Sequence, residues 1–130
     1  MKKKILVVDD EPDIVRTISI MLEMEDYEVI TAGSGEDALK QMRVNTPDLL
    51  LLDVILPGIN GKEVAAILKK DTRYQKVPII IITAQTQKSD LATLEESGAD
   101  FYMTKPFDSS VLKDKIEKLL NRQNKAEQEG

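Results

Sequence analysis

Acidic, hydroxyl and amino side chains follow short apolar runs at four separate points of the sequence. Asp9 and Asp10 follow KILVV, and Asp53 follows four leucines. Thr83 follows four isoleucines, and Lys105 comes shortly after FYM. Carboxylates that meet in one cleft raise one another's pKa or bind a cation, and a hydroxyl with an ammonium suits the oxygens of a phosphoryl group in transfer. The chemistry therefore requires that the apolar runs end at one edge of the fold.

Each of these side chains also has an ordinary structural explanation. Asp10 or Glu11 could cap the first helix, and Asp53 could cap a turn. Thr83 could bond to backbone at a strand end, and Lys105 could be a solvated surface lysine. Those explanations must all hold independently, whereas a single cleft accounts for every strand end at once.

The composition is typical of one globular domain without a membrane segment. The chain has 130 residues, of which 42% are hydrophobic and 32% charged. A net charge of -5 argues against direct nucleic-acid binding. No apolar run approaches the roughly 20 residues of a membrane helix, and the apolar part of MKKKILVVDD is too short for a signal peptide. We therefore expect a cytoplasmic protein that does not insert into membranes.

The absence of cysteine and histidine narrows the possible chemistry. Without cysteine there is no disulfide, thiol nucleophile or thiolate metal site. Without histidine there is no Ser-His-Asp triad and no His-bound zinc within the chain. Any metal must be held by oxygen ligands, which favours a hard cation such as Mg²⁺.

Strand and helix patterns alternate five times along the chain, which predicts an α/β fold with a parallel sheet covered by helices on both faces. The predicted strands are Lys4–Val8, Glu28–Thr31, Asp48–Leu52, Ile79–Ile82 and Phe101–Met103. The first, second, fourth and fifth predicted helices start at Pro12, after a Ser34 cap, at about Lys88 and at about Asp108. The third contains the apolar stripe Val64–Leu68. The fourth ends near Ser97 and the last near Asn121. We interpret residues 1–121 as one domain and residues 122–130 as a polar tail.

Four motifs carry a resemblance to a known family. They are VVDDEP, LLLLDVILPGING, IIIITA and GADFYMTKPF. Together they resemble the receiver domain of bacterial two-component response regulators over roughly residues 3 to 121. The resemblance implies a flavodoxin-like, doubly wound, five-stranded parallel sheet in the order 2-1-3-4-5.

The resemblance also implies a metal and phosphoacceptor site. Asp53 would be the phosphoacceptor and a ligand of Mg²⁺. Asp10 would bind the metal directly, Asp9 would act largely through water, and the backbone carbonyl of Ile55 would complete the protein's share of the shell.

Three further residues have implied roles. Lys105 would pair with Asp53 and later with its phosphoryl oxygens, and the Lys105-Pro106 peptide bond would be cis. Thr83 would hydrogen-bond the phosphoryl group, and Tyr102 would swing inward behind it. We expect the response in the face made by the predicted fourth helix, the fifth strand and the last helix.

The resemblance therefore implies a signalling switch that is not an enzyme beyond its own phosphorylation and dephosphorylation. Because the chain has no histidine, the donor would be a separate sensor histidine kinase or phosphotransfer protein. A downstream protein would be the target. We expect the chain either to act alone by docking or to be a piece of a longer regulator.

The residues also allow comparison with three other kinds of protein on related folds or sites. An aspartyl phosphatase would have a second acid two residues after the nucleophile, where this chain has Ile55. A flavin module would have a phosphate loop after the first strand, where this chain has acids. A receiver-like interaction module that works without phosphorylation stays open as the alternative.

Overall fold

The computed structural model describes residues 2–84 and 97–129, with side chains of the last helix described as far as Arg122. The strands are β1 Lys4–Val8, β2 Glu28–Ala32, β3 Leu49–Leu52, β4 Ile79–Thr83 and β5 Phe101–Thr104. The helices are α1 Pro12–Met24, α2 Gly35–Val44, α3 Gly61–Lys70 and a C-terminal helix, Ser109–Glu129. The predicted helix from Lys88 to Ser97 lies almost wholly outside the described residues.

The five strands form one parallel sheet in the order β2-β1-β3-β4-β5. The predicted fold class and strand order are confirmed. All residues of β3 and β4 are buried, because helices cover both faces of the sheet. This explains why these two strands are continuous apolar runs rather than alternating ones.

Two hydrophobic cores lie on opposite faces of the sheet. Even and odd positions of each central strand point to opposite sides, since side chains alternate along a strand. One core joins Leu50 and Leu52 to α2 and α3. The other joins Leu49 and Leu51 to α1 and the C-terminal helix. Both cores fix β1 and β3 side by side, so their carboxyl ends share one edge.

The helix starts follow the local sequence. Pro12 begins α1, where its missing N–H costs nothing. Ser34 caps α2 by accepting the Asp37 N–H at 3.1 Å, as predicted. Asn60 caps α3 by accepting the Glu63 N–H at 3.0 Å. These caps set where each helix leaves the loop that follows a strand.

The C-terminal helix differs from the prediction, because it continues beyond Asn121 to Glu129. This segment is rich in Arg, Gln, Lys, Ala and Glu, which favour helix without needing an apolar face. The domain limit at residue 121 stays a prediction. None of the helices in the described ranges is long and apolar enough to span a membrane.

Gly61 lies directly against the end of β3. Its N–H donates to the Val54 carbonyl at 2.9 Å, and a Cβ built on Gly61 would overlap the backbone carbonyl of Asp53. The overlapping atoms are backbone, so no side-chain rotation relieves the clash. The first residue of α3 must therefore be glycine for Asp53 to keep its place.

We expect Gly61→Ala to lower the free energy of unfolding by about 1–3 kcal/mol, as overpacking does elsewhere. Urea denaturation measures this. Gly33→Ala is the matched control, since no described atom lies within 4 Å of its built Cβ, and it should stay within about 0.5 kcal/mol of the parent. Equal effects of the two substitutions would contradict the packing argument.

Candidate functional site

Asp9 and Asp53 stand at the carboxyl ends of neighbouring parallel strands. Val8 and Leu52 are register partners, and the Asp53 N–H donates to the Val8 carbonyl at 2.9 Å. The next residue of each strand is therefore a carboxylate at the same level of the sheet. The side chains of Asp9 and Asp53 are only 4% and 5% exposed, so the two acids share a cleft with little access to water.

Lys105 joins these acids from the other side of the site. Its Nζ lies 2.9 Å from Asp9 Oδ2, 3.0 Å from Asp53 Oδ2 and 3.4 Å from Glu11 Oε1. Its backbone N–H donates to the Thr83 carbonyl at 2.9 Å, which fixes the residue beside the end of β4. The Lys105-Pro106 peptide bond is cis, as the resemblance implies. The Lys105 ammonium therefore forms ion pairs with three carboxylates.

Four carboxylates form a group that could hold a metal ion. Asp9, Asp10, Glu11 and Asp53 each offer an oxygen, and these atoms all lie within 4.8 Å of one another. Asp10 and Glu11 are exposed, so the cluster opens to solvent on their side. A set of carboxylate oxygens suits a hard divalent cation such as Mg²⁺.

Ile55 lies where its backbone can take part in the site. Its N–H points at Asp53 and donates to Oδ1 at 3.3 Å. Its side chain is 55% exposed, although it is apolar. The backbone of Ile55 is thus adjacent to the Asp53 carboxylate, while the residue as a whole is exposed.

Burial changes the charge balance of the central pair. Desolvation raises the pKa of Asp53 above 3.8, and the hydrogen bond and charge of Lys105 offset only part of that rise. Burial alone would lower the pKa of Lys105, but the bonds to Asp9 and Asp53 and their charges outweigh it and raise the pKa. The lysine therefore stays an ammonium, while burial disfavours the ionised form of Asp53.

Thr83 and Tyr102 lie on β4 and β5 respectively. Thr83 is buried at the end of β4, in register with Thr104. Tyr102 pairs with Ile81 and packs, partly buried, against the core that contains α2 and α3. Thr83 therefore lies next to β5, and Tyr102 is part of it.

The structure brings together Asp9 and Asp10 from the end of the first strand, Asp53 from the end of the third and Lys105 from after the fifth, as the sequence predicts. Ile55, which only the resemblance implies, lies beside Asp53. Sequence reasoning missed the contact of Glu11 with Lys105 and its place among the four carboxylates. Its position directly after Asp9 and Asp10 was the available signal, since one tight turn can present three consecutive acids. The Asp9 carboxylate makes that turn by accepting the Glu11 N–H at 2.9 Å.

Comparisons with known proteins agree on one family. Residues 5–117 match the response regulator receiver domain. The chain is 45% identical over 124 residues to the alkaline phosphatase synthesis transcriptional regulatory protein PhoP of Bacillus subtilis, covering 94% of this chain and 50% of that protein. It is 40% identical over 122 residues to the DNA-binding response regulator MtrA of Mycolicibacterium smegmatis, covering 94% and 52%.

A solved structure shows the same fold. The CheY-like response regulator receiver domain protein of Methanospirillum hungatei superimposes with a TM-score of 0.90 at 29% identity, covering 97% of this chain and 99% of that one. The chain belongs to the response regulator receiver domain family of two-component signalling domains. It spans about half the length of the curated relatives that it matches.

We expect the pKa of Asp53 in metal-free protein to lie above 3.8, and Lys105→Met to raise it further. The folded carboxyl keeps its proton to higher pH than the unfolded one. Its contribution to the free energy of unfolding therefore increases as the pH falls from the pKa of the folded state to that of the unfolded state. Carboxyl ¹³C chemical shifts across a pH titration measure the pKa of Asp53 in the parent and in Lys105→Met.

The matched control is Lys113→Met, which removes an ammonium that pairs with Glu25 at 3.4 Å instead. This substitution should leave the titration of Asp53 unchanged. An Asp53 pKa at or below 3.8, or one that ignores the loss of Lys105, would contradict the assigned balance of burial and charge.

Proposed function

We propose that the chain is a phosphorylation-activated signalling switch in which Asp53 accepts a phosphoryl group with the help of Mg²⁺. One observation carries the proposal. The buried carboxylate of Asp53 lies 3.0 Å from the ammonium of Lys105 and within a cluster of three further carboxylates. These contacts support a nucleophile, a cation site and an ammonium at one edge of the sheet.

The proposed ligands of Mg²⁺ are Asp10, Asp53 and the Ile55 carbonyl, with Asp9 acting largely through water. When bound, the ion would offset negative charge on the acids and on the oxygens of the transferring group. Supporting this set are the short distances among the carboxylates and the adjacency of the Ile55 backbone to Asp53. Glu11 supplies a further acid at the exposed side of the cluster.

In the transfer itself, an Asp53 oxygen attacks phosphorus and forms a new P–O bond. The bond from phosphorus to the donor breaks, and its electron pair leaves with the donor group. Asp53 is a competent nucleophile when ionised and positioned, and its hydrogen bond from the Ile55 N–H orients it. The Lys105 ammonium stabilises the charge on the phosphoryl oxygens.

The phosphoryl group would act on the protein through Thr83 and Tyr102. Phosphorylation adds about -1.5 to -2 charge at one point, which can bias an element with two arrangements. We propose that the Thr83 hydroxyl turns to the phosphoryl group and that Tyr102 moves inward behind it. Support comes from the Thr83 carbonyl holding Lys105 and from the direct pairing of β4 with β5.

The donor and the targets follow from composition and charge. The family resemblance implies a phosphohistidine donor, and because this chain contains no histidine, we propose that the donor lies on a separate sensor kinase or phosphotransfer protein. The net charge of -5 favours a protein target over direct contact of this domain with nucleic acid. DNA binding is named for MtrA, and we propose it for no surface of this domain.

We expect incubation with acetyl phosphate and Mg²⁺ to add one phosphoryl group, detected by intact mass and mapped to Asp53 after digestion. Asp53→Asn should remain unlabelled, and a chelator should suppress labelling of the parent. Asp13→Asn is the control, because it removes one exposed carboxylate from the first turn of α1. It should label like the parent.

Two outcomes would overturn the proposal. Labelling of Asp53→Asn at the parent's rate would place the acceptor elsewhere. An unlabelled parent that still captures its target would favour the phosphorylation-independent interaction module.

A further inference from the structure

Residues 54–60 connect Asp53 to α3. This segment contains Ile55 and is called the acceptor loop below. Its start is fixed by the core, because Val54 and Leu56 are buried. Its end is fixed by the Asn60 cap of α3. Ile55 lies between Val54 and Leu56 and is itself exposed, and the stretch from Pro57 to Ile59 joins this part of the loop to the cap. A contact that holds Ile59 would therefore limit how far the loop, including the Ile55 backbone, can move.

The first turn of α2 supplies that contact. Glu36 Oε1 accepts the backbone N–H of Ile59 at 3.1 Å. The same carboxylate lies against Gly58, and Gly35 passes so close beneath Ile59 that a Cβ there would overlap its carbonyl. The acceptor loop therefore rests on α2 through one hydrogen bond and one backbone contact.

Glu36 differs from its neighbour Asp37 in making this contact. Acids in the first turn of a helix favour the helix dipole, and both residues satisfy that rule. The Glu36 carboxylate additionally bonds to a residue 23 positions later in the chain. This hydrogen bond joins the loop to α2, so its loss would loosen the loop.

We propose that Glu36 is a positioning residue for the metal and phosphoacceptor site. By holding Ile59, it limits the movement of the acceptor loop and keeps the Ile55 backbone beside the Asp53 carboxylate. Glu36 does not touch the metal or the phosphoryl group. The inference rests on the proposed function, since it assigns to Ile55 a place in the Mg²⁺ site.

The test is Mg²⁺ titration by calorimetry on the full chain. Glu36→Ala should weaken Mg²⁺ binding by about threefold, as expected when roughly half of a net hydrogen-bond energy is transmitted to the site. Glu36→Gln should bind like the parent, because its amide oxygen can still accept the Ile59 N–H. Asp37→Ala, which removes a charge from the same turn, should also bind like the parent.

A second measurement does not depend on metal. Amide hydrogen exchange in metal-free protein should be faster at Ile55 and Ile59 in Glu36→Ala than in the parent, and unchanged in Glu36→Gln. This rescue separates loop positioning from the loss of a charge near the site.

The outcomes are distinguishable. A parent that binds no Mg²⁺ overturns the proposed function and this inference with it. A parent that binds Mg²⁺, with Glu36→Ala matching it in affinity and exchange, overturns this inference alone. Equal weakening in Glu36→Gln or Asp37→Ala shows a charge effect instead of positioning and also overturns it.

Discussion

The structure depends on the burial of two carboxylates beside one ammonium. Asp9 and Asp53 are almost wholly removed from water, which is costly for charged groups unless they are paired. Lys105 provides the pairing to both at once, so it cannot satisfy either fully. Burial raises the pKa of Asp53, and Lys105 offsets only part of that rise. A divalent cation would supply the missing positive charge, and a phosphoryl group would then use the same cation and the same lysine.

The parallel sheet makes this arrangement possible because it delivers the ends of several strands to one edge. Fully buried β3 and β4 fix the depth of Asp53 and Thr83, since a shift of one residue would move every side chain to the opposite face. Gly61 adds a local constraint by packing its backbone on the Asp53 carbonyl. Core packing and backbone packing therefore determine the site together.

Much of this was predictable from sequence. Short apolar runs such as LLLL and IIII are typical of strands with both faces covered, and the strand–helix alternation then predicts a parallel sheet. Asp9, Asp10 and Asp53 are therefore predicted to share one edge of the sheet from the sequence alone. The family resemblance added the strand order and the cis bond at Lys105-Pro106, both of which are confirmed.

Other features depend on side-chain directions that no sequence pattern contains. Lys105 and Glu11 are 94 positions apart, and their contact follows from the path of one flexible side chain. Glu36 fits the pattern of an acid that stabilises a helix N-terminus, so the sequence gives no sign of its hydrogen bond with Ile59. The C-terminal helix continues past Asn121 because polar helix-forming residues need no core to stay helical.

The central claim is that carboxylates from two strands hold one divalent ion beside a nucleophilic oxygen. Substoichiometric Mn²⁺ in a ¹⁵N–¹H NMR experiment tests this most directly, because the ion broadens the amides nearest to it. The account predicts that signals of Asp10, Asp53 and Ile55 broaden first and recover when excess Mg²⁺ is added. Broadening centred elsewhere on the surface, or broadening at these residues that Mg²⁺ does not reverse, would contradict it.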